Sequence, residues 1–585
     1  MIRLFIAVVI LLPLGAIAAT WWPETTTNSM SWSNTVGVVG GIPSVTTIST
    51  TLSAGSSAAT INSALSACAS NQVVKLSEGT YNLSAVIILA KDGVVLRGSG
   101  SNTVLVSQGG GSSAIYLGGS QTITADASIS SGATYGSTSI VVSSSANLNV
   151  GGQIFFRANG ATNLDWKLSG SAPPITTRGH AARVLTISGT TITFWPPCEY
   201  NFMTTEAGAG SPTVWRIPFN DTYRRIGLED LTLVLDDAAS STDGIYVVSA
   251  YDSWVSGVTT VRPANRHYQF VYDVNCTARS NWLADIQGHA ANTLGLGIEE
   301  STSFCLFEDN ILQACNVVCE NGYQVGNVVA YNFVTDAYQT SGGSPSQYAG
   351  IWLGHSFHTY KFLAEGNFAN TVLFTDGQHG SGSHNLAFRN FLHGWSPVAR
   401  ETNGNCVMAA RWGEYNQAFW NVLGTSNYPG GMSYQPTNSG SANGAIYFLG
   451  YYSSGNATIT NAAPPVFLPN PGDNPQFVMD TKTTNHFVRH HNFDHNTFTT
   501  IDDGVSSTDG PASLYLQLKP AWMGSLPWPL IGPDVSIASE GATNSARVEI
   551  TNPARERFYG RSVFTVSGTT PSRTGTGRAM KGRSR

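Results

Sequence analysis

Through the middle of this chain an apolar residue is followed by two variable positions, an asparagine and another apolar residue. The pattern runs Phe307-Glu308-Asp309-Asn310-Ile311, Val329-Ala330-Tyr331-Asn332-Phe333, Ala364-Glu365-Gly366-Asn367-Phe368, Ala387-Phe388-Arg389-Asn390-Phe391 and Ala418-Phe419-Trp420-Asn421-Val422. Its asparagines are 22, 35, 23 and 31 residues apart. A period of about 22 residues with occasional insertions is what a solenoid looks like in sequence. The apolar positions around each Asn are two or four residues apart, which predicts short strands and not a helical face. The recurring Asn predicts stacked side-chain amides at one turn of every coil, because Asn tolerates left-handed backbone and can bond its own turn.

The flanking segments extend this architecture. Thr60 to Cys68 (TINSALSAC) predicts a short amphipathic helix with Ile61, Leu65 and Cys68 on one side, and strand-like runs follow at Val73–Leu76 and Val94–Leu96. The terminal coil of a solenoid has no neighbour and needs a cap; the helix fits that role. Residues 120–220 break the rhythm with alternating strands and glycine turns, an inserted antiparallel β excursion. Coils resume at Leu228 and run to about 500, with insertions between Asn332 and Asn367 and around 424–485. The Trp- and Pro-rich segment 514–530 is expected over the far end, and the row Phe333, Phe368, Phe391 is expected to stack as core. The predicted division is a signal peptide at 1–19, an extended lead-in at 20–55, a parallel β-helix at 56–530, a C-terminal extension at 531–572 and a basic tail at 573–585.

Composition narrows the class. The 585 residues are 42% hydrophobic and 11% charged, enough for a large core and too apolar for a disordered chain. A net charge of -6 shows no basic footprint for nucleic acid. Arg3, the apolar run Leu4–Leu14 and the small-residue site Ala16-Ile17-Ala18 read as a secretory signal. The run is too short to span a bilayer comfortably. The expectation is a secreted protein, extracellular or periplasmic, without stable membrane insertion. Seven cysteines, at 68, 198, 276, 305, 315, 319 and 406, leave one unpaired if the rest are bridged. Cys276 and Cys305 each precede an Asn by five residues, so they stack on adjacent coils as a disulfide or as small core residues; Cys315 with Cys319 is the next pairing. No CxxC zinc spacing is present. Hard oxygen ligands for calcium are available without a calcium-loop spacing, so calcium stays open as a cofactor and no other is indicated.

The combination of TINSALSAC, EGTY at 78–81 and VVLRGSG at 94–100, followed by Asn-bearing coils, resembles the pectate-lyase-like superfamily. The resemblance covers about residues 55–530 and implies an all-β, right-handed parallel β-helix of a secreted bacterial carbohydrate-active protein. EGN at 365–367, DGQHGSGSHN at 376–385 and FRN at 388–390 resemble a bacterial subgroup labelled only by fold. The superfamily includes polysaccharide lyases, glycoside hydrolases, epimerases and phage tailspikes, so fold does not fix function. The calcium aspartates of pectate lyases are not evident. The ordered polygalacturonase motifs are missing, since Gln378-His379-Gly380 only echoes GHG and Asp502-Asp503 stands alone. No catalytic residue carries over from either.

Used as a ruler, the asparagines locate the chemistry. Twelve to nine positions before successive ladder residues stand Glu299 and Glu300, Glu320 and Asn321, His355 and His358, Gln378 and His379, and Arg411 and Trp412. Equivalent positions stack about 4.8 Å apart in a parallel β-helix, so acids, imidazoles and a guanidinium share one column. Such a column makes a groove suited to a linear polymer. Five of the 12 histidines lie between 355 and 393. A lone His is more often a surface or turn residue, but a shared register of His355, His358, His379 and Arg411 points to function. Trp352, Trp412, Tyr338, His384 and Glu414 are the substrate-binding candidates, the aromatics as sugar platforms. Glu365 and Arg389, next to the turn Asn, read at least as well as an ion pair bracing the coils.

Two reactions fit. In β-elimination a base removes the proton next to a uronate carboxylate, which a cation neutralises; His355, His358 or His379 is the candidate base and Arg411 the neutraliser. In hydrolysis two carboxyls flank the bond, about 5 Å apart for retention and 6.5–9.5 Å for inversion; Glu300, Glu320, Asp376 and Glu414 are the candidates. The abundance of His and Arg favours elimination. The expectation is a monomeric lyase acting on an acidic polysaccharide; a glycoside hydrolase and a noncatalytic glycan-binding or adhesin β-helix are the alternatives.

Overall fold

The computed structural model describes residues 32 and 35–561, apart from 109–110, 159–177, 204–210, 236–242, 290–293, 342–343, 356–357, 378–379, 396–403, 411–412, 427, 429, 436–443, 452–480, 502–509 and 536–549. The expected signal peptide and basic tail lie outside the described residues. Among the described residues no helix is long and apolar enough to cross a membrane.

Each coil carries short strands that stack on those of the next coil, building three sheets of 12, 12 and 10 strands. Sheet one runs from Ile48–Leu52 to Val488–His490, sheet two from Gly79–Leu83 to Thr499–Ile501, and sheet three from Ile87–Leu89 to Ala445–Leu449. One coil shows the course: Leu306–Glu308 in sheet one, Ile311–Gln313 in sheet two and Val317–Glu320 in sheet three. The chain then returns with Val328–Ala330, parallel to and in register with Leu306–Glu308. Parallel strands joined by such crossovers wind right-handedly, and the chain is a right-handed parallel β-helix. Strand alternation sends Phe307, Leu312, Val317 and Cys319 into one continuous core with Ala278, Leu283, Leu296 and Ile298 of the preceding coil. Burying a large apolar side chain of this kind stabilises by about 1.5–3 kcal/mol.

The N-terminal end is closed as the sequence predicts. A helix forms at Ala58–Ala67, with the Ser57 side chain accepting from the Thr60 backbone N–H. Ile61 and Leu65 face the core. The Asn62 amide donates to Val86 O and accepts from Ile88 N, each at 2.9 Å, which satisfies the otherwise open edge of sheet three. The β excursion is a closed antiparallel barrel of six strands between Thr124–Ser131 and Thr213–Arg216. It grows from the turn that follows sheet three and folds back onto later coils. Arg183 pairs with Asp252 and Lys361 with Glu199, both at 3.2 Å, and the Tyr200 ring stacks on Tyr360 at 4.2 Å.

The asparagine ladder is real and longer than the five motifs. It comprises Asn281, Asn310, Asn332, Asn367, Asn390, Asn421 and Asn492. Each Nδ2 donates to the Oδ1 of the next Asn at 2.9–3.0 Å, and the same Oδ1 accepts the preceding Asn backbone N–H at 2.9–3.1 Å. One expectation needs correction. The left-handed residue is the one before the Asn, since Asp309, Tyr331, Gly366, Arg389 and Trp420 have φ of 51–65°. The Asn is selected for bonds between coils, not for tolerance of that conformation.

A second, shorter spine runs along the turn from sheet three to sheet one. Asn327 Oδ1 accepts from Cys305 N at 2.8 Å, and Asn385 donates to Asn416 Oδ1 at 3.0 Å. Cys276 and Cys305 occupy equivalent slots, with the Cys276 N–H on Cys305 Sγ at 3.3 Å. All seven cysteines are buried free thiols, so Cys276 and Cys305 stack as small core residues, the second of the two readings, and the Cys315–Cys319 pairing does not form. The seven thiols are expected to react with a bulky thiol reagent only on unfolding, and reductant should leave Tm unchanged; a native-state titration above one thiol contradicts this placement.

The C-terminal segment is placed differently from expectation. Residues 510–535 run along the outer face of sheet one. Leu514 N–H donates to Glu365 Oε2 and Tyr515 OH to Glu308 Oε2, each at 2.8 Å. Arg389 is clamped by Asp534 at 2.6 Å and by the carbonyls of Gly510, Pro511 and Ile531. Glu365 and Arg389 therefore bind this strap and not each other. The reason is apolar: Val328, Leu363, Leu386 and Phe388 point outward from sheet one and are covered by Leu530, Ile531 and neighbouring strap residues. The helix Pro553–Phe558 covers the aromatic row in the same way. Phe333, Phe368 and Phe391 pack edge-to-face at 5.2 and 4.9 Å on the outer side of sheet two, with Phe558 5.2 Å from Phe333. Arg389→Ala is expected to loosen the strap, read as faster proteolytic cleavage near residue 510.

Candidate active site

The outer face of sheet three gathers the polar column. Strand register pairs Glu299 with Glu320 and Glu320 with His355. The next coil brings Asp376, whose N–H donates to Gly354 O at 3.1 Å. These residues stand where sheet three gives way to the turn beside the barrel. The pairing of Val318 with Trp352 but Glu320 with His355 requires one extra residue in the His355 strand, a β-bulge. Bulges re-aim side chains, and this one brings His355 opposite Glu320. Gly354 permits it, because a Cβ there would lie 2.4 Å from Phe374 O.

The four groups form an inner and an outer layer. His355 Nδ1 is 2.6 Å from Asp376 Oδ2. Arg266 lies 3.4 Å from Glu299 Oε1 and 3.2 Å from Glu320 Oε2, and Asn321 Nδ2 donates to Glu299 Oε2 at 2.8 Å. The Glu320 and His355 side chains are 16% and 19% exposed, whereas those of Glu299 and Asp376 are 4% and 2% exposed. A reachable carboxylate and imidazole are thus each backed by a buried carboxyl. Burial pulls the His355 pKa down, but the Asp376 hydrogen bond and charge, with the Glu320 charge, hold it above the ordinary value. Burial pushes Glu299 up to about 7, with the Glu320 charge adding and Arg266 opposing. Beside the column runs an outward apolar strip of Val318, Trp352, Leu373, Met408 and Phe448. The Trp352 ring is 4.5 Å from His355, and Tyr348 packs edge-on against it at 5.3 Å.

The Glu299 shift has a stability consequence. Between its ordinary 4.5 and about 7 the native protein holds a proton that the unfolded chain has released, so this group lowers stability as pH rises through that window. Glu299→Gln is expected to flatten the difference, measured as urea midpoints for the two proteins across the window. Parallel curves would contradict the assignment.

The remaining candidates are placed as follows. Glu300 lies outside the column and accepts from Tyr272 OH; Glu299 takes the place proposed for it beside Glu320. His358 is 1% exposed and bonded at 3.0 Å to the hydroxyls of Ser381 and Ser383, away from the groove. Tyr338 stacks on His289 at 3.8 Å in a hairpin that leaves sheet two. His384 and Glu414 lie on the turn from sheet three to sheet one, where Glu414 is bonded to His486. His379, Arg411 and Trp412 lie outside the described residues. Arg266 is the member that attention to His and Arg between 355 and 411 missed. Among the described residues no group of three or more His, Cys, Asp or Glu could hold a metal ion.

This fold is a right-handed parallel β-helix. No protein-family profile and no curated protein matches the chain. Solved structures similar to it include a tailspike of Pseudomonas phage phi297, 13% identical with a TM-score of 0.44 over 63% of this chain and 58% of that one. A polygalacturonase from Erwinia carotovora ssp. carotovora is 12% identical with a TM-score of 0.30, covering 66% and 80%. An alginate lyase from Paenibacillus sp. FPU-7 is 11% identical with a TM-score of 0.29, covering 63% and 92%. Likeness this distant leaves the chemistry to the residues themselves.

Proposed function

We propose that the chain is a secreted enzyme that cleaves a uronate-containing polysaccharide by β-elimination along the outer face of sheet three. The observation that supports this reading most is the surface-reaching His355 imidazole held by the buried Asp376 carboxylate, next to Glu320 and Trp352. Nε2 of His355 removes the proton on the carbon next to the uronate carboxylate. Asp376 and Glu320 stabilise the imidazolium that forms. The C–O bond to the leaving sugar breaks as the double bond forms, and the same imidazolium returns its proton to the departing oxygen. A base whose pKa is drawn toward the working pH is well matched to this step. Arg411, expected in the same column, is the candidate for neutralising the substrate carboxylate.

Hydrolysis by paired carboxyls is less well supported, because it needs two of them facing the bond. Of the carboxyl candidates in this column only Glu320 reaches the groove surface, while the Glu299 and Asp376 side chains are 4% and 2% exposed. A panel of acidic and neutral polysaccharides, read both by the ultraviolet absorbance of an unsaturated uronate and by new reducing ends, with and without chelator, tests the reading. Reducing ends without that absorbance replace elimination with hydrolysis. Binding without turnover of any polymer supports a noncatalytic glycan-binding role.

A further inference from the structure

A second imidazole–carboxylate couple lies along the turn from sheet three to sheet one, apart from the column. Glu414 is 3% exposed, and its carboxylate is 2.6 Å from Nδ1 of His486. His486 ends the short helix Thr481–His486 and its side chain is 37% exposed. Among the described residues no hydrogen-bond partner engages its Nε2.

His486 is also the last ring of a stack that climbs coil by coil. Tyr200 of the barrel stacks on Tyr360 at 4.2 Å, Tyr360 is 5.1 Å from His384, His384 stacks on Tyr415 at 5.4 Å, and Tyr415 stacks on His486 at 4.6 Å with planes 12° apart. Burial, with the Lys361 and His358 charges, pushes His384 down to about 3, so the middle of the stack is neutral at ordinary pH. The ring of His486 is therefore oriented from two sides, by a carboxylate at Nδ1 and by an aromatic face. With Nδ1 donating to Glu414, neutral imidazole presents a lone pair at Nε2. A fixed acceptor beside an apolar ring edge suits a sugar, which offers hydroxyls and C–H faces together.

The position along the axis gives the couple a meaning. The strand Ala445–Leu449, in the coil that leads to His486, stands three parallel pairings beyond Ile351–His355. At about 4.8 Å per coil that is roughly 14 Å, a span that several linked sugars cover and two do not.

We propose that His486, oriented by Glu414, is a distal sugar subsite of the groove that accepts a hydroxyl hydrogen bond from a unit remote from the bond at His355. This rests on the polysaccharide reading above and specifies which part of the chain length the protein measures.

The test compares di- and hexauronides of galacturonate and of mannuronate, with kcat/KM read where cleavage occurs and Kd by calorimetry in every case. His486→Ala is expected to lower the hexamer-to-dimer ratio roughly tenfold, the worth of about one good contact. Glu414→Leu keeps the bulk but removes the acceptor at Nδ1, so the ring is no longer held in one orientation; it is expected to lose most of the same ratio. An unchanged ratio in His486→Ala overturns the subsite, and an unchanged ratio in Glu414→Leu overturns the positioning role of Glu414. A wild-type protein that cleaves nothing defeats the proposed reaction but not this inference. In that case length-dependent binding lost in His486→Ala supports the subsite, and absence of hexamer binding overturns it.

Discussion

His355→Ala should lower kcat by about 10²–10⁴-fold on whichever polysaccharide is turned over. The chemistry demands a loss of this size because the same imidazole takes the carbon-bound proton and returns it to oxygen. The next side chains along its column are carboxylates that cannot stand in for it: Glu320 is paired with Arg266, and Asp376 is buried behind the ring that the substitution removes. Affinity for uncleaved oligomer should change far less, since Trp352 and the apolar strip remain. Asp376→Asn separates orientation from charge. It keeps a partner at Nδ1 but removes the negative charge that holds the His355 pKa up. A base needs its deprotonated form, so the acid limb of kcat against pH should move to lower pH in Asp376→Asn, with a smaller loss of rate than in His355→Ala. Retention of wild-type kcat in His355→Ala would remove the column from the mechanism altogether.

Asn367→Ala should be among the most destabilising single substitutions away from the active column. The Asn367 side chain donates to Val329 O at 2.8 Å and to Asn390 Oδ1 at 2.9 Å, and accepts from Asn332 N and Asn332 Nδ2, both at 3.0 Å. All of these groups are buried. Alanine removes one side of four hydrogen bonds and leaves donors and acceptors in two neighbouring coils without partners. Each buried orphan costs about 1–3 kcal/mol, and partial relaxation brings the expected total to about 3–5 kcal/mol. Asn147→Ala is the control: its exposed side chain bonds only Asp126, at 2.8 Å, and should change stability by less than about 1 kcal/mol. Denaturant midpoints of the two variants decide the matter, and near equality would mean that core packing alone sets the coil register.

The repeat was legible because strand alternation and a spaced Asn are local signals. Period, sheet class and the place of the inserted antiparallel strands followed from them, and the capping helix from its own apolar spacing; closure of the insertion into a barrel did not. Glu320 and His355 were legible for the same reason, since counting from a periodic residue fixes register. What escaped was whatever breaks the period. The bulge at Gly354 and the drift from Glu300 to Glu299 shift the count by one, and a one-residue slip moves a side chain to the other face. The strap at 510–535 escaped because its partners, Glu308, Glu365 and Arg389, lie more than a hundred residues upstream. The cysteines left two readings open because a slot that admits a small hydrogen-bonding side chain takes Asn or Cys alike.

The amide ladder also gives the solenoid a direction and a stop. Every ladder Nδ2 but the last donates to the Oδ1 of the next coil, so the side-chain dipoles add along the axis where the backbone dipoles of a sheet nearly cancel. The last amide, on Asn492, has no further Asn and gives its hydrogens to Ala418 O and to the buried hydroxyl of Tyr447. Tyr447 is thus a terminator: a chain that gained one more coil at this end would have to replace that hydroxyl with another amide, and a chain that lost Tyr447 would leave the whole row of dipoles ending on an unanswered N–H.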